Sequence, residues 1–169
     1  MKIAVLGFSG GGKSTLARKL GERLNLPVLH LDTVHWLPGW QQRRTEDGAA
    51  IVAEFMDQPD WIIEGTYSKY HMDQRMEQAD RIVMLLLPRL ICFARALRRH
   101  HTYRGQSRPD MTEGCPEKMD GQFVFWLLWE GRLPRRRKIF DDIAGRYPDK
   151  TVILRSQKEI DRFLEEYPC

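Results

Sequence analysis

The stretch Gly7-Phe8-Ser9-Gly10-Gly11-Gly12-Lys13-Ser14-Thr15 decides the fold. It satisfies the pattern Gly-x-x-x-x-Gly-Lys-Ser through Gly7, Gly12, Lys13 and Ser14. Such a loop must turn so that consecutive backbone N–H groups point inward at phosphate oxygens, and glycines permit the positive φ angles and close approach this requires. A helix opening near Lys13 adds its N-terminal dipole to the same anion. Lys13 is then expected at the β and γ phosphates, Ser14 on Mg²⁺ and Thr15 at the α phosphate, with Gly7, Ser9, Gly10, Gly11 and Gly12 forming the cradle. A glycine-rich turn can arise by chance, but here it follows an apolar strand and opens an amphipathic helix, the context the motif needs. The expected ligands are ATP and Mg²⁺.

Outward from the loop, short apolar runs alternate with helical patterns, which indicates an α/β fold with a parallel sheet of about five strands. Strands are expected at Ile3–Leu6, from Pro27 to Leu31 closing on Asp32, at Trp61–Ile63 stopping at Glu64-Gly65, from Arg81 to Leu87, and at Thr151–Leu154. The helix after the loop runs to Leu24, with Leu16, Leu20 and Leu24 on one face. Further helices are expected over Thr45–Met56 with Thr45 as N-cap, from Pro88 at the first helical position to about His100, over Gln122–Gly131, over Pro134–Arg146, and after a Ser156 cap. Between about residues 102 and 120 the pattern dissolves into Gly, Pro, Ser and Arg, as in a functional loop or lid. The whole of 1–169 reads as one domain.

The chain has 169 residues, 42% hydrophobic and 30% charged, ordinary for a globular protein. Its longest apolar run, Ile82 to Leu87, stops at Pro88, short of the roughly 18 residues of a membrane span. The opening Met1–Leu6 has too short an apolar run for a signal peptide, so a cytoplasmic protein is expected. Three cysteines, Cys92, Cys115 and Cys169, argue against a disulfide framework or a zinc site, and Cys115 is read as a packed thiol.

A phosphate loop names a ligand and leaves the reaction open. The guanine-reading Asn-Lys-x-Asp of GTPases is absent. Glu64 and Asp32 end strands at the edge where open α/β sheets bind ligands. Glu64 is the candidate for Mg²⁺ or substrate contact. Asp32 could accept a proton from, or orient, a substrate hydroxyl, or help hold Mg²⁺. His30 and His35 are read as packed or solvent-facing. No acid lies between Asp80 and Asp110, whereas Arg81, Arg89, Arg95, Arg98, Arg99, Arg104 and Arg108 do, followed by Arg132 and Arg135–Lys138. Arg95 and Arg99 lie one turn apart and are candidates to stabilise a transferring phosphoryl group. Arg104 and Arg108 sit in a stretch able to close over a triphosphate. The same basic cluster could grip nucleic acid, but no nucleic-acid-binding signature accompanies it. Trp36 and Trp40 are candidates for a substrate pocket; Trp61, Trp126 and Trp129 are read as core or pocket wall.

The loop, Leu31-Asp32 with Trp36 following, Trp61-Ile62-Ile63-Glu64-Gly65-Thr66-Tyr67 and Arg104-Gly-Gln-Ser-Arg108-Pro-Asp110 together resemble the adenylate-kinase-related proteins named for DNA topology modulation (FlaR-type). The resemblance spans nearly the whole chain. It implies a nucleoside-monophosphate-kinase-like P-loop fold with strand order 2-3-1-4-5, a short Arg-rich lid, and a substrate-binding segment after the second strand. It puts Asp32 where the acceptor is gripped, and the substrate contacts expected in all are Asp32, Trp36, Glu64, Tyr67, Arg104 and Arg108. The Asp-Gly-Phe-Pro-Arg segment of true adenylate kinases is replaced by Glu64-Gly65-Thr66-Tyr67. Two functions follow as expectations: transfer of the γ-phosphoryl group of Mg·ATP to a nucleotide or other small molecule, or ATP-controlled association with nucleic acid.

Overall fold

The computed structural model describes residues 1–167; Cys169 lies outside them. Strand β1 (Lys2–Gly7) runs into the glycine loop, and helix α1 (Lys13–Leu24) leaves it. Strand β2 (Val28–His30) is followed by the short helix α2 (Leu31–His35), and a ribbon of β3 (Trp36–Leu37) and β4 (Gln41–Gln42) leads to α3 (Thr45–Met56). Then come β5 (Trp61–Glu64), α4 (Met72–Gln78), β6 (Arg81–Leu85) and α5 (Arg89–Thr102). After an irregular segment, α6 (Gly121–Leu128), α7 (Pro134–Arg146), β7 (Thr151–Leu154) and α8 (Gln157–Glu165) complete the described chain.

The main sheet is parallel with order β2-β5-β1-β6-β7. Counting only its own five strands, this is the expected 2-3-1-4-5. β1 sits at its centre, with Ile3, Ala4, Val5 and Leu6 all fully buried, because helices cover both faces. Alternation along the strands divides the core in two. Ile3, Val5, Ile62, Val83 and Leu85 face α1, α5, α6 and α8. Ala4, Leu6, Trp61, Ile63, Ile82 and Met84 face α2, α3, α4 and α7. No described helix is long and apolar enough to cross a membrane.

Several boundaries differ from the sequence reading. The second strand ends at His30, and Asp32 lies on α2, whose turn begins one residue earlier. Thr45 is the first helical residue, not the cap; Arg44 takes the cap position with no side-chain hydrogen bond. Pro88 is likewise the cap, its extended backbone (ψ 145°) preceding Arg89. Ser156 does cap α8, accepting from the Glu159 N–H. The ribbon β3/β4 and helix α4 carry no periodic signal long enough to announce them.

α4 carries a feature that shapes the site. Arg75 is fully buried, and its guanidinium donates to the carbonyls of Gly65, Tyr67 and Tyr70 at 3.2, 2.8 and 2.8 Å. Burial pushes its pKa down to about 10, so it stays charged at neutral pH. These bonds pin the turn that leaves β5, which the Gly65 backbone (φ 136°) begins. Arg75→Leu leaves three carbonyls without donors and should cost about 3 kcal/mol or more. Thermal unfolding should register this as a fall in Tm of roughly 6–12 °C. An unchanged Tm would show that the turn does not depend on the clamp.

Candidate active site

The parallel order carries the ends of β1, β5 and β6 to one edge of the sheet, and the loop crosses it. Gly7 has φ 136°, and a Cβ there would lie 2.3 Å from the Leu85 carbonyl oxygen, so only glycine fits. The crossing is fixed by the Phe8 N–H donating to Leu85 O at 3.1 Å. Thr66 closes the other side, its hydroxyl 3.2 Å from Gly7 N and 3.3 Å from Gly7 O. Gly12, at φ 97°, is the cap of α1, so the free N–H groups of the first helical turn open into the loop.

Lys13 stands where two cavities meet. One, of about 660 Å³, is bordered by Gly10, Gly12–Thr15, Arg95, Arg98, Arg99, Arg108 and Asp110. The other, of about 260 Å³, is bordered by Phe8, Ser9, Asp32, Glu64–Tyr67, Trp126, Arg136 and Phe140. Lys13 Nζ donates to Phe8 O at 3.3 Å and lies 3.8 Å from Glu64 Oε1. The arginines expected at the phosphates are on the larger cavity. Arg95 donates to Gly11 O at 2.8 Å, tying α5 to the loop backbone. Arg99 pairs with Glu117 at 2.7 Å.

Glu64 is 3% exposed, and its Oε2 lies 3.0 Å from His30 Nδ1. Burial alone would raise its pKa, but the His30 hydrogen bond and the Lys13 and His30 charges outweigh it and hold the carboxyl below its ordinary range. Burial likewise works to lower the His30 pKa, and the Glu64 bond and charge raise it instead. The two shifts agree in sign: each partner favours the charged form of the other.

Asp32 borders the smaller cavity and accepts from the Tyr67 hydroxyl at 2.7 Å. Burial first, then the Asp32 charge, push the Tyr67 pKa up, so the phenol keeps its proton. The other Asp32 oxygen is 3.6 Å from Arg108 Nη2. Arg108, 8% exposed, also lies 3.4 Å from Asp110 Oδ2 and 3.0 Å from Glu117 Oε2. The segment that bears it is stitched to the ribbon. Thr112 donates to Trp36 O at 2.5 Å, Cys115 Sγ to Leu37 O at 3.2 Å, and the Gly39 N–H to Gly114 O at 3.0 Å. Cys115 is indeed a packed thiol.

Most of the expected residues are therefore assembled around Lys13. Trp36 and Arg104 are not. Trp36 packs edge-on to His35 and Trp40 and borders neither cavity. Arg104 is exposed and bridges through its backbone to Glu117. Trp126, Phe140 and Arg136 wall the smaller cavity instead. Asp110 and Glu117 are residues that sequence reading did not assign to the site, and His30, read as packed or solvent-facing, instead pairs with Glu64. Asp110 stood within the Arg-Pro-Asp segment, where only the arginine drew notice, and His30 stood at a strand end two residues from Asp32.

Neither a protein-family model nor a curated protein sequence matches this chain. Solved structures do match its fold. Shikimate kinase from Acinetobacter baumannii in complex with shikimate is 18% identical, with 98% of this chain and 89% of that one covered at a TM-score of 0.59. Deoxyadenosine kinase from M. mycoides with bound dATP is 13% identical, with 98% of each chain covered and a TM-score of 0.60. A gluconokinase from Sinorhizobium meliloti 1021 is 18% identical, with 99% and 89% covered and a TM-score of 0.51. At these identities the likeness establishes the fold, which is that of P-loop kinases.

The His30–Glu64 shifts set a pH window. A raised histidine stabilises fully below its ordinary 6.5 and loses that contribution as pH rises through its folded value; a lowered glutamate stabilises fully above its ordinary 4.5 and loses it as pH falls through its folded value. The pair should therefore stabilise most between about 4.5 and 6.5. Melting curves of the wild type and His30→Gln should differ most in that window, and the difference should shrink as the pH rises above it through the raised folded-state value of His30. A constant difference would mean that the imidazole is not charged.

Proposed function

We propose that the protein is an ATP-dependent phosphotransferase that moves the γ-phosphoryl group of Mg·ATP to a nucleotide or other small-molecule acceptor. The observation that carries this reading is the position of Lys13 between two cavities, one bordered by the glycine loop and several arginines and the other by Asp32, Glu64 and aromatic side chains. A nucleotide-hydrolysing switch needs the first alone. The names of the solved neighbours, kinases of shikimate, deoxyadenosine and gluconate, support the same chemistry.

In this reading the loop N–H groups, Ser9 and Thr15 hold the phosphates, and Lys13 follows the γ-phosphoryl group as charge spreads over its oxygens. Arg99 and Arg108 add positive charge from α5 and the lid, while Arg95 steadies the loop through Gly11. The Ser14 hydroxyl is a hard oxygen donor that would suit Mg²⁺, and the ion would supply positive charge to offset that of the phosphates. Asp32 takes the proton of the acceptor hydroxyl. The Tyr67 bond occupies one of its oxygens, so the other is aimed by default at the cavity and Arg108. Arg136, on the exposed face of α7 yet bordering the cavity, suits an acceptor with an anionic group, and Phe8, Trp126 and Phe140 supply apolar walls. The segment from about 102 to 120 serves as lid, excluding water from the transfer.

The nucleic-acid reading gains no observation. Arg99 and Arg108 pair with Glu117, Asp110 and Asp32 at the border of the larger cavity, so they face that cavity and not an outer surface that could lie along a nucleic acid.

The proposal is tested by incubating the protein with Mg·ATP and a panel of hydroxy acids, polyols, nucleosides and nucleoside monophosphates, and following phosphorylated product. Lys13→Ala should abolish transfer with an unchanged circular dichroism spectrum. Asp32→Asn should lower kcat by about 10²- to 10⁴-fold. A panel without any phosphorylated product, or transfer that survives Lys13→Ala, would count against it.

A further inference from the structure

The smaller cavity limits what can be phosphorylated. Its volume of about 260 Å³ is less than half the 660 Å³ of the cavity beside the glycine loop. It also falls under the roughly 300–1,000 Å³ of pockets that enclose drug-sized molecules. Base, sugar and phosphate together do not fit such a space. Nor are its walls loose. Phe8 meets Phe140 edge to face with ring centres 5.3 Å apart, and Trp126 stacks on Phe123 at 6.3 Å. Trp126 also lies against Gly131, where even a Cβ would come within 3.0 Å of the Trp126 carbonyl oxygen and 3.4 Å of its ring.

The charges around this cavity select further. Transfer to a nucleoside monophosphate uses a phosphate oxygen as nucleophile, and such an oxygen needs cations around it. Here an incoming phosphate would meet the carboxylates of Asp32 and Glu64. The cations nearest them are engaged, Lys13 at 3.8 Å from Glu64 and Arg108 at 3.6 Å from Asp32. A neutral hydroxyl suits a carboxylate better, since it arrives with a proton to give. One cation is left over. Arg136 borders the cavity from α7, and among the described residues it pairs with no carboxylate, whereas Arg135 and Lys138 beside it do. Arg132 adds charge behind the Phe8 wall, its guanidinium carbon 3.7 Å from the ring centre and one nitrogen donating to Leu87 O at 2.8 Å.

We propose that the acceptor is a compact hydroxy acid, with a hydroxyl for Asp32, one carboxylate for Arg136, and an apolar face against Phe8, Trp126 and Phe140. The inference rests on the phosphotransferase reading and narrows it, setting nucleotides and nucleosides aside. The acceptor oxygen attacks the γ phosphorus and forms the new O–P bond. The bond from that phosphorus to the β–γ bridging oxygen breaks, ADP leaves, and the hydroxyl proton passes to Asp32. The carboxylate takes no part in these steps, so its contact with Arg136 contributes to binding and leaves the chemical step alone.

The test gives the full chain Mg·ATP and matched acceptors: glycerate, quinate and mandelate, each beside its methyl ester, together with adenosine and adenosine monophosphate. At least one acid should be phosphorylated with a kcat/KM about 10- to 100-fold above that of its ester, the loss expected when a hydrogen bond to a charged group is removed. Arg136 is exposed, so its replacement spares the core. Arg136→Met should raise KM for that acid by a similar factor with kcat little changed, and should erase the preference over the ester. Arg136→Lys should restore part of it. Esters used as well as acids, a preference untouched by Arg136→Met, or adenosine or its monophosphate outpacing every acid overturns the inference and leaves the phosphotransferase reading standing. Product from polyols but from no acid does the same. No phosphorylated product from any acceptor overturns that reading and the inference with it.

Discussion

The structure depends on one constraint: β1 lies between β5 and β6 in a parallel sheet buried on both faces. Parallel pairing aligns the carboxyl ends of the strands, so Gly7, Glu64 and Leu85 reach the same edge. Burial on both faces fixes the register, since a one-residue slip would exchange the side chains of the two half-cores. The loop can cross that edge only because Gly7 has no side chain to meet the Leu85 carbonyl. Everything assembled around Lys13 follows from this crossing: the open N-terminus of α1, the acid of β5 and the helix α5 that follows β6.

Around that frame, charges are buried in complementary groups. Glu64 lies between Lys13 and His30; Glu117 lies between Arg99 and Arg108; Arg108 reaches Asp32 and Asp110 besides. A desolvated ion without a partner is costly, and one placed among several can exchange partners at smaller cost. Under the proposed function, a triphosphate entering the larger cavity would take the place of the internal carboxylates that Arg99 and Arg108 now hold, both arginines already bordering that cavity. Such preorganisation favours electrostatic stabilisation of a transferring phosphoryl group, because little reorientation is left to do. Arg75 is the exception in this set. Its partners are three carbonyls of the turn after β5, so its burial serves to hold Thr66 and Tyr67 in place.

The segment between α5 and α6 joins the two halves of the site. It has no regular secondary structure beyond one bridge between Arg104 and Glu117, and its order comes from side chains. Arg108 fastens it at the sheet edge, while Thr112, Gly114 and Cys115 fasten it to the ribbon. The irregular segment and the wall of the smaller cavity are thereby continuous.

The sequence by itself determined the fold class, the phosphate loop, the spans of α1, α3, α7 and β7, and the Ser156 cap, because these rest on local signals: turn chemistry, periodicity and capping. It also determined that Asp32 and Glu64 end up at one edge, since alternating strands and helices force a parallel sheet. The pairing of His30 with Glu64, the meeting of Asp32 with Arg108 and the choice of Trp126 over Trp36 as a wall were decided by tertiary structure alone. Each joins segments 30 or more residues apart, whose meeting depends on how crossovers and an irregular loop pack, and no local periodicity records that.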